Sequence, residues 1–309
     1  MHARRQFANL LVPLDGSRLA ESVVPTVREL ALHLCAEVTL LHVLEQHPPS
    51  TVHGERHLSD RANAGEYLAR IAARLREAGI AVQAHVHDNR EGDVARSIAE
   101  HADELTQDMV VLCAHGRGGL RGLLFGGIAQ QVLAKGSWPV LVVQPRPDGG
   151  APEFRPRRIL VPLATTHDPK PALDAAATLA VAFGAVARLV VVVPMRATLA
   201  DERARAGRTL PTTMRAILDL AEQESQRYLA DASARLSAAG LAIEEEVARG
   251  ETVTEIRAAA DRADADLIVI ASHARVGLEA LASGSVGSRL SARAARPILL
   301  VRASDPDTH

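Results

Sequence analysis

Residues 108–144 read DMVVLCAHGRGGLRGLLFGGIAQQVLAKGSWPVLVVQ. Met109–Ala114 is a short apolar run between an Asp and a His-Gly, the pattern of a strand covered on both faces. Gly116, Gly118, Gly119 and Gly122 then make a loop whose backbone is free to place itself. Gly126-Gly127 opens a helical pattern with an apolar face of Ile128, Ala129, Val132 and Leu133, and Pro139 starts a second buried strand, Val140–Val143. Strand, glycine loop, helix, strand is the grammar of a parallel α/β fold that receives a ligand on its loops.

The same grammar returns 158 residues later, in Asp266–Arg302: DLIVIASHARVGLEALASGSVGSRLSARAARPILLVR. His115 falls on His273, Gly126 on Gly284 and Pro139 on Pro297. A period of about 150 residues makes each copy a whole domain and not a solenoid unit. The expected division is a first domain at 1–146, a linker at 147–156 and a second domain at 157–309. Gln144–Arg157 supports it, with four prolines and two glycines in 14 residues.

Working outward, Phe7–Leu14 reads as a first strand, and the turn after it leads into a helix over roughly 18–35 that either Asp15 or Ser17 could cap. Glu37–Val43 is a second strand, Glu45–Ser59 a loop, Ala62–Ala78 a helix, Ile80–His87 a third strand and Gly92–Leu105 a helix. The second half restarts at Arg158–Leu163, matching the first strand at an offset of 149, and has a strand at Val186–Val193. A long charged connection, Pro194–Thr213, then leads to a helix ending before Gly240. Strands alternating with helices predict parallel sheets with right-handed crossovers, in which ligands sit at the carboxyl ends of the strands.

Composition narrows the function. The 309 residues are 47% hydrophobic and 2% aromatic, with a net charge of −2. Few aromatics leave no stacking platform for single-stranded nucleic acid, and the near-neutral charge gives no general attraction to DNA or anionic membranes. No apolar run reaches the ~18 residues of a membrane span, and the N-terminal segment lacks the pattern of a secretory signal, so the expected location is cytoplasmic. Cys35 and Cys113 sit in apolar patterns and read as reduced, buried thiols.

VPLDGS after the first strand, LLHV at the second, CAHGRGGLRGLLFGGIAQQVL and then PVLVV, with ILVP, SHARVGLEALASGSVGSRL and PILLV in the second half, resemble the universal stress protein family. The resemblance covers nearly the whole chain, as a tandem two-domain member. It implies two repeated, doubly wound α/β domains, each a five-stranded parallel sheet of order 3-2-1-4-5 with helices on both faces. It also implies pairing through the last strands, so that the two halves form a pseudo-dimer within one chain; two chains could associate further as a homodimer.

Some members bind ATP through a Gly-x2-Gly-x9-Gly-Ser/Thr loop, where backbone N–H groups and a helix N-terminus wrap the phosphates. The residues this chain offers are Pro13, Asp15, Val43, His115, Gly116, Gly126, Gly127 and Ile128. The first motif glycine is Cys113, however, and the Ser/Thr is Gly127. In the second half Ala164 replaces the Asp and Ala271 and Ala274 the loop glycines, while Gly284-Ser285-Val286 is intact. A lost hydroxyl–phosphate bond costs about 1.5–3 kcal/mol, roughly ten- to a hundredfold in affinity. The first half is thus the better candidate for a weakened ATP site, and the expected function is a stress-response regulator. The alternative is a structural or interaction protein of the same fold that binds no nucleotide. No carboxylate or nucleophile has recognisable spacing to His115, so no enzyme is expected. His53-x-x-x-His57, with His47 nearby, and His85-x-His87 have plausible metal-ligand spacing, but no cysteine pair accompanies them and no metal is assigned.

Overall fold

The computed structural model describes residues 6–45, 51, 52, 54–56, 58–88, 93–114, 127–136, 138–146, 150, 151, 153–166, 168–195, 211–272 and 296–303. The chain divides into two compact units, Met1–Arg155 with Ala274–Leu300, and Pro156–His273 with Val301–His309.

The first unit is built on β1 (Asn9–Pro13), β2 (Glu37–Leu44), β5 (Val82–Asp88), β6 (Met109–Cys113) and β7 (Val140–Val143), with a small hairpin of β3 (Thr51–Val52) and β4 (Glu55–Arg56). Across the sheet the order is β5, β2, β1, β6, β7, all neighbours parallel. Every residue of β6 and β7 is buried, and because successive side chains alternate between faces, both faces of these strands are covered. Beyond β7, Ile298–Leu300 pairs antiparallel with Val140–Val142, removing what would be an open sheet edge. At the opposite edge β5 is largely exposed.

The helices form where capping and apolar spacing agree. α3 (Arg61–Glu77) starts at Asp60, whose carboxylate accepts the Asn63 N–H at 2.8 Å, and buries Ala64, Tyr67, Leu68, Ile71 and Leu75 along one face against β2 and β5. Each fully buried Leu or Ile there contributes about 1.5–3 kcal/mol. α4 (Val94–Glu104) is capped by Asp93 in the same way, and α5 (Gly127–Lys135) packs on it.

Three expectations change. The helix over 18–35 is two helices, α1 (Arg18–Glu21) and α2 (Val24–Leu34). Pro25 has no N–H to return to the preceding turn, so the first helix stops before it and the second starts with proline in its opening turn. Cys35 is exposed, unlike Cys113: it ends α2 in the left-handed region, at φ 51°, turning its side chain outward. The Glu45–Ser59 connection also carries the β3–β4 hairpin, turned by Gly54 at φ 81°.

The second unit holds β8 (Arg158–Leu163), β9 (Val186–Val193), β10 (Ile243–Arg249) and β11 (Leu267–Ser272), parallel, in the order β10, β9, β8, β11. Among the described residues its helices are α6 (Lys170–Phe183), α7 (Pro211–Ser237) and α8 (Thr252–Arg262). The strand β12 (Ile298–Arg302) supplies the residues that pair with β7. Among the described residues no helix is long and apolar enough to cross a membrane.

Candidate functional site

The carboxyl ends of β1 and β2 in the first unit converge on a turn made by Leu14, Asp15, Gly16 and Ser17. Gly16 lies at φ +91°, a conformation that a side chain disfavours. Asp15 Oδ1 accepts the Ser17 N–H at 2.9 Å and the Ser17 hydroxyl at 2.6 Å. Ser17 in turn caps α1, its Oγ accepting the Ala20 N–H at 3.1 Å. The two capping candidates therefore act in series: Asp15 orients Ser17, and Ser17 satisfies the helix. Glu55, on the hairpin, accepts the Arg18 N–H at 2.9 Å and so closes a second donor of the same helix end.

Beneath the turn, His42 is 1% exposed and braces the site. Its Nδ1 lies 2.7 Å from the Leu14 carbonyl and its Nε2 3.2 Å from the Leu58 carbonyl. Pro13 and Val43 stand at the ends of their strands, Pro13 half-buried and Val43 buried. Gly127 opens α5, and Ile128 is 39% exposed. His115, Gly116 and Gly126 lie outside the described residues. So do Arg117, Arg121, Ala274 and Gly284-Ser285-Val286.

Cys113, where the nucleotide motif has glycine, ends β6 and is buried with its Sγ 3.4 Å from the Ser22 Oγ. Burial pushes its thiol up to about 11. At neutral pH it is a packed thiol, not a thiolate nucleophile.

Tyr67 lies outside the motifs carried by the sequence. It is 3% exposed, and among the described residues its hydroxyl has no hydrogen-bond partner. Burial, reinforced by the carboxylates of Glu21 and then Asp15, raises its pKa far above the usual tyrosine value. Tyr67 also lines a cleft of about 270 Å³ with Leu58, Asp60, Asn63 and Arg70. The signal was present: the chain has two tyrosines, each twelve residues before the glycine that follows its helix, Gly79 or Gly240. In the second unit Tyr228 donates to the Ala164 carbonyl at 3.2 Å. Where the Asp is replaced by Ala, the repeated tyrosine has turned to the backbone.

The second unit has a larger cleft, about 510 Å³, lined at the ends of β9 and β10 by Val193, Arg249 and residues of α7. On its edge strand, Glu246 receives Arg262 and Arg188, and Arg188 also donates to Glu244 at 2.9 Å. Burial opposes ionisation of Glu246, but the two guanidiniums outweigh it and hold the carboxyl below its ordinary value. A depressed carboxylate adds stability that is complete above the unfolded value and lost as pH falls through the folded one. Acidification below about pH 4.5 is therefore expected to lower the urea midpoint more in the wild type than in Glu246→Gln. Equal pH slopes would remove the ion-pair contribution.

The model of the universal stress protein family matches residues 6–144 and again residues 156–302. A universal stress protein of Synechocystis, Sll1654, is 30% identical over 141 residues, covering 44% of this chain and 85% of that protein. A second, MJ0531 of Methanocaldococcus jannaschii, is 25% identical over 143 residues, covering 45% and 82%. The crystal structure of a universal stress protein from Archaeoglobus fulgidus shares the fold over 98% of both chains, with a TM-score of 0.71 at 16% identity. Two family matches, laid end to end over nearly all of the sequence, place this chain in the universal stress protein family as a tandem two-domain member.

Proposed function

We propose that the protein is a cytoplasmic regulatory module whose first unit binds an adenine nucleotide, ATP above all, at the carboxyl ends of β1 and β2. One observation carries the reading: the Asp15–Ser17 turn stands beside a buried Tyr67 hydroxyl that has no partner among the described residues. A buried hydroxyl left unsatisfied costs about 1–3 kcal/mol, and a bound polar ligand, with its ordered water, would recover it. Asp15 would take the nucleoside end. Gly116, Gly126 and the N–H of Gly127 would take the phosphates through backbone donors. The module acts by binding and not by turnover, in keeping with a Cys113 thiol that stays protonated.

The second unit favours a different role. With Ala164 in place of the Asp, and its carbonyl taken by Tyr228, that unit serves as scaffold or interaction surface.

Nucleotide carried through purification is the test. The protein is denatured, and the supernatant is resolved by chromatography and mass spectrometry. ATP or ADP near one per chain is expected. The Asp15→Ala, Gly116→Val variant is expected to lose it, Asp15→Ala alone weakening affinity about ten- to a hundredfold. An empty wild type that shows no thermal shift with millimolar ATP would sink the nucleotide reading and leave the interaction role in both units.

A further inference from the structure

At the exposed edge of the first unit's sheet, β5 carries His85 and His87. Two residues apart on a strand, they project from the same face. α4 brings a third imidazole, His101, over them. The ring centroids of His85 and His87 lie 4.9 and 4.4 Å from that of His101. One ligating nitrogen from each ring falls within 4.8 Å of the other two.

We propose that His85, His87 and His101 form a binding site for a divalent transition-metal cation, with zinc the ion the ligand set fits best. His101 is the anchor. It is 5% exposed, and its Nδ1 lies 2.8 Å from the Ser97 carbonyl one turn back. A carbonyl only accepts, so this contact places the proton on Nδ1 and leaves the Nε2 lone pair for a metal. His85 is exposed and His87 half-buried, so both rings have room to turn. Zinc–nitrogen bonds of about 2.0–2.1 Å put tetrahedral nitrogens roughly 3.3 Å apart, so the cluster closes by rotation about the side-chain bonds of these two residues. Three imidazoles without a thiolate suit zinc, copper or nickel rather than calcium or magnesium. Glu104, exposed, lies one helical turn beyond His101.

The surrounding charges agree. Burial lowers the pKa of both His85 and His87, and the neighbouring His101 adds to this. Arg61 acts on His85 in the same direction, although it is paired with Asp88. Glu104 opposes at both rings, and Asp88 and Glu100 oppose at His87. These influences favour the neutral form of His85 and His87, the form that ligates.

The fold does not demand three histidines here, and the second unit shows it. Register places Glu246 where His85 stands and Ala248 where His87 stands. Counting from the helix caps Asp93 and Glu251, Ala259 matches His101 and Arg262 matches Glu104. The second unit thus closes the same place with the Glu246–Arg262 ion pair. Among the described residues, only the first unit assembles nitrogen ligands at this place.

The purified chain, stripped with a chelator, would be titrated with zinc against a competing indicator. One zinc per chain in the micromolar range or tighter is expected. His85→Gln/His87→Gln, which keeps edge-strand polarity, should weaken it by about a hundredfold or more, since even outer-shell losses cost 10–100-fold. His101→Ala, the residue the second unit already has, should do the same with far-UV dichroism unchanged. Cobalt should give the visible absorption of a four-coordinate site in the wild type and not in the double variant. No zinc uptake at micromolar concentration would overturn the proposal. So would undiminished uptake by the double variant, which would assign the metal to other histidines.

Discussion

Asp108→Ala is expected to destabilise the first unit by about 3 kcal/mol. Asp108 Oδ2 accepts the N–H groups of Ala8 and Asn9, each at 3.0 Å, and the Asn9 side-chain amide at 3.2 Å. Its own N–H donates to the Asn9 carbonyl at 2.9 Å. One carboxylate thus fixes where β1 enters the sheet beside β6. Hydrogen bonds to a charged group contribute about 1.5–3 kcal/mol each, and alanine leaves the two backbone donors without an acceptor. The second unit repeats the device: Asp266 Oδ2 accepts the N–H groups of Arg157 and Arg158 at 2.8 and 3.0 Å. The single tryptophan, Trp138, lies in the first unit and donates to Asp103, so its fluorescence reports that unit's unfolding in urea. Asp108→Asn, which keeps an acceptor oxygen without the charge, should fall between wild type and alanine. A shift below about 0.5 kcal/mol for alanine would show that water replaces the clamp at no cost.

Gly16→Val should cost about 2–3 kcal/mol and abolish the nucleotide binding proposed at the β1–β2 ends. A φ of +91° is strained for any side chain, and more so for a β-branched one. A Cβ there would also stand 2.7 Å from Leu58 Cδ1 and 2.8 Å from its Cγ. Pushing Leu58 aside moves the carbonyl that faces His42 Nε2, and His42 also faces the Leu14 carbonyl at the end of β1. The damage therefore travels from the turn into the buried brace. Tryptophan fluorescence in urea measures the stability and ATP titration the binding. A stable variant that still binds would mean that Leu58 is free to move and that the turn does not shape the site.

The secondary structure was legible because its causes are local. Buried strands such as Met109–Cys113 announce themselves as apolar runs, and α3 by its spacing and the following Gly79. The helix break at Pro25 was equally local, but the apolar pattern continues across it, so periodicity concealed what the missing N–H enforces. The outward turn of Cys35 depends on a backbone sign, φ 51°, that composition does not carry.

By itself, then, the sequence determined the duplication, the α/β alternation and the family, since each rests on residue types recurring in order along the chain. It also located the Asp15 turn, because a strand ending in Pro-Leu-Asp-Gly-Ser has few other ways to enter a helix. Tertiary structure alone decided what lies opposite what. His101 joins His85 and His87 because a crossover lays α4 against the sheet, and its helical phase, not its sequence distance, turns the ring toward β5. Tyr67 reaches the neighbourhood of Asp15, and Glu55 the start of α1, by the same kind of return. Local periodicity encodes which face of an element is buried, but the neighbours that face meets are chosen by the crossover and the strand register.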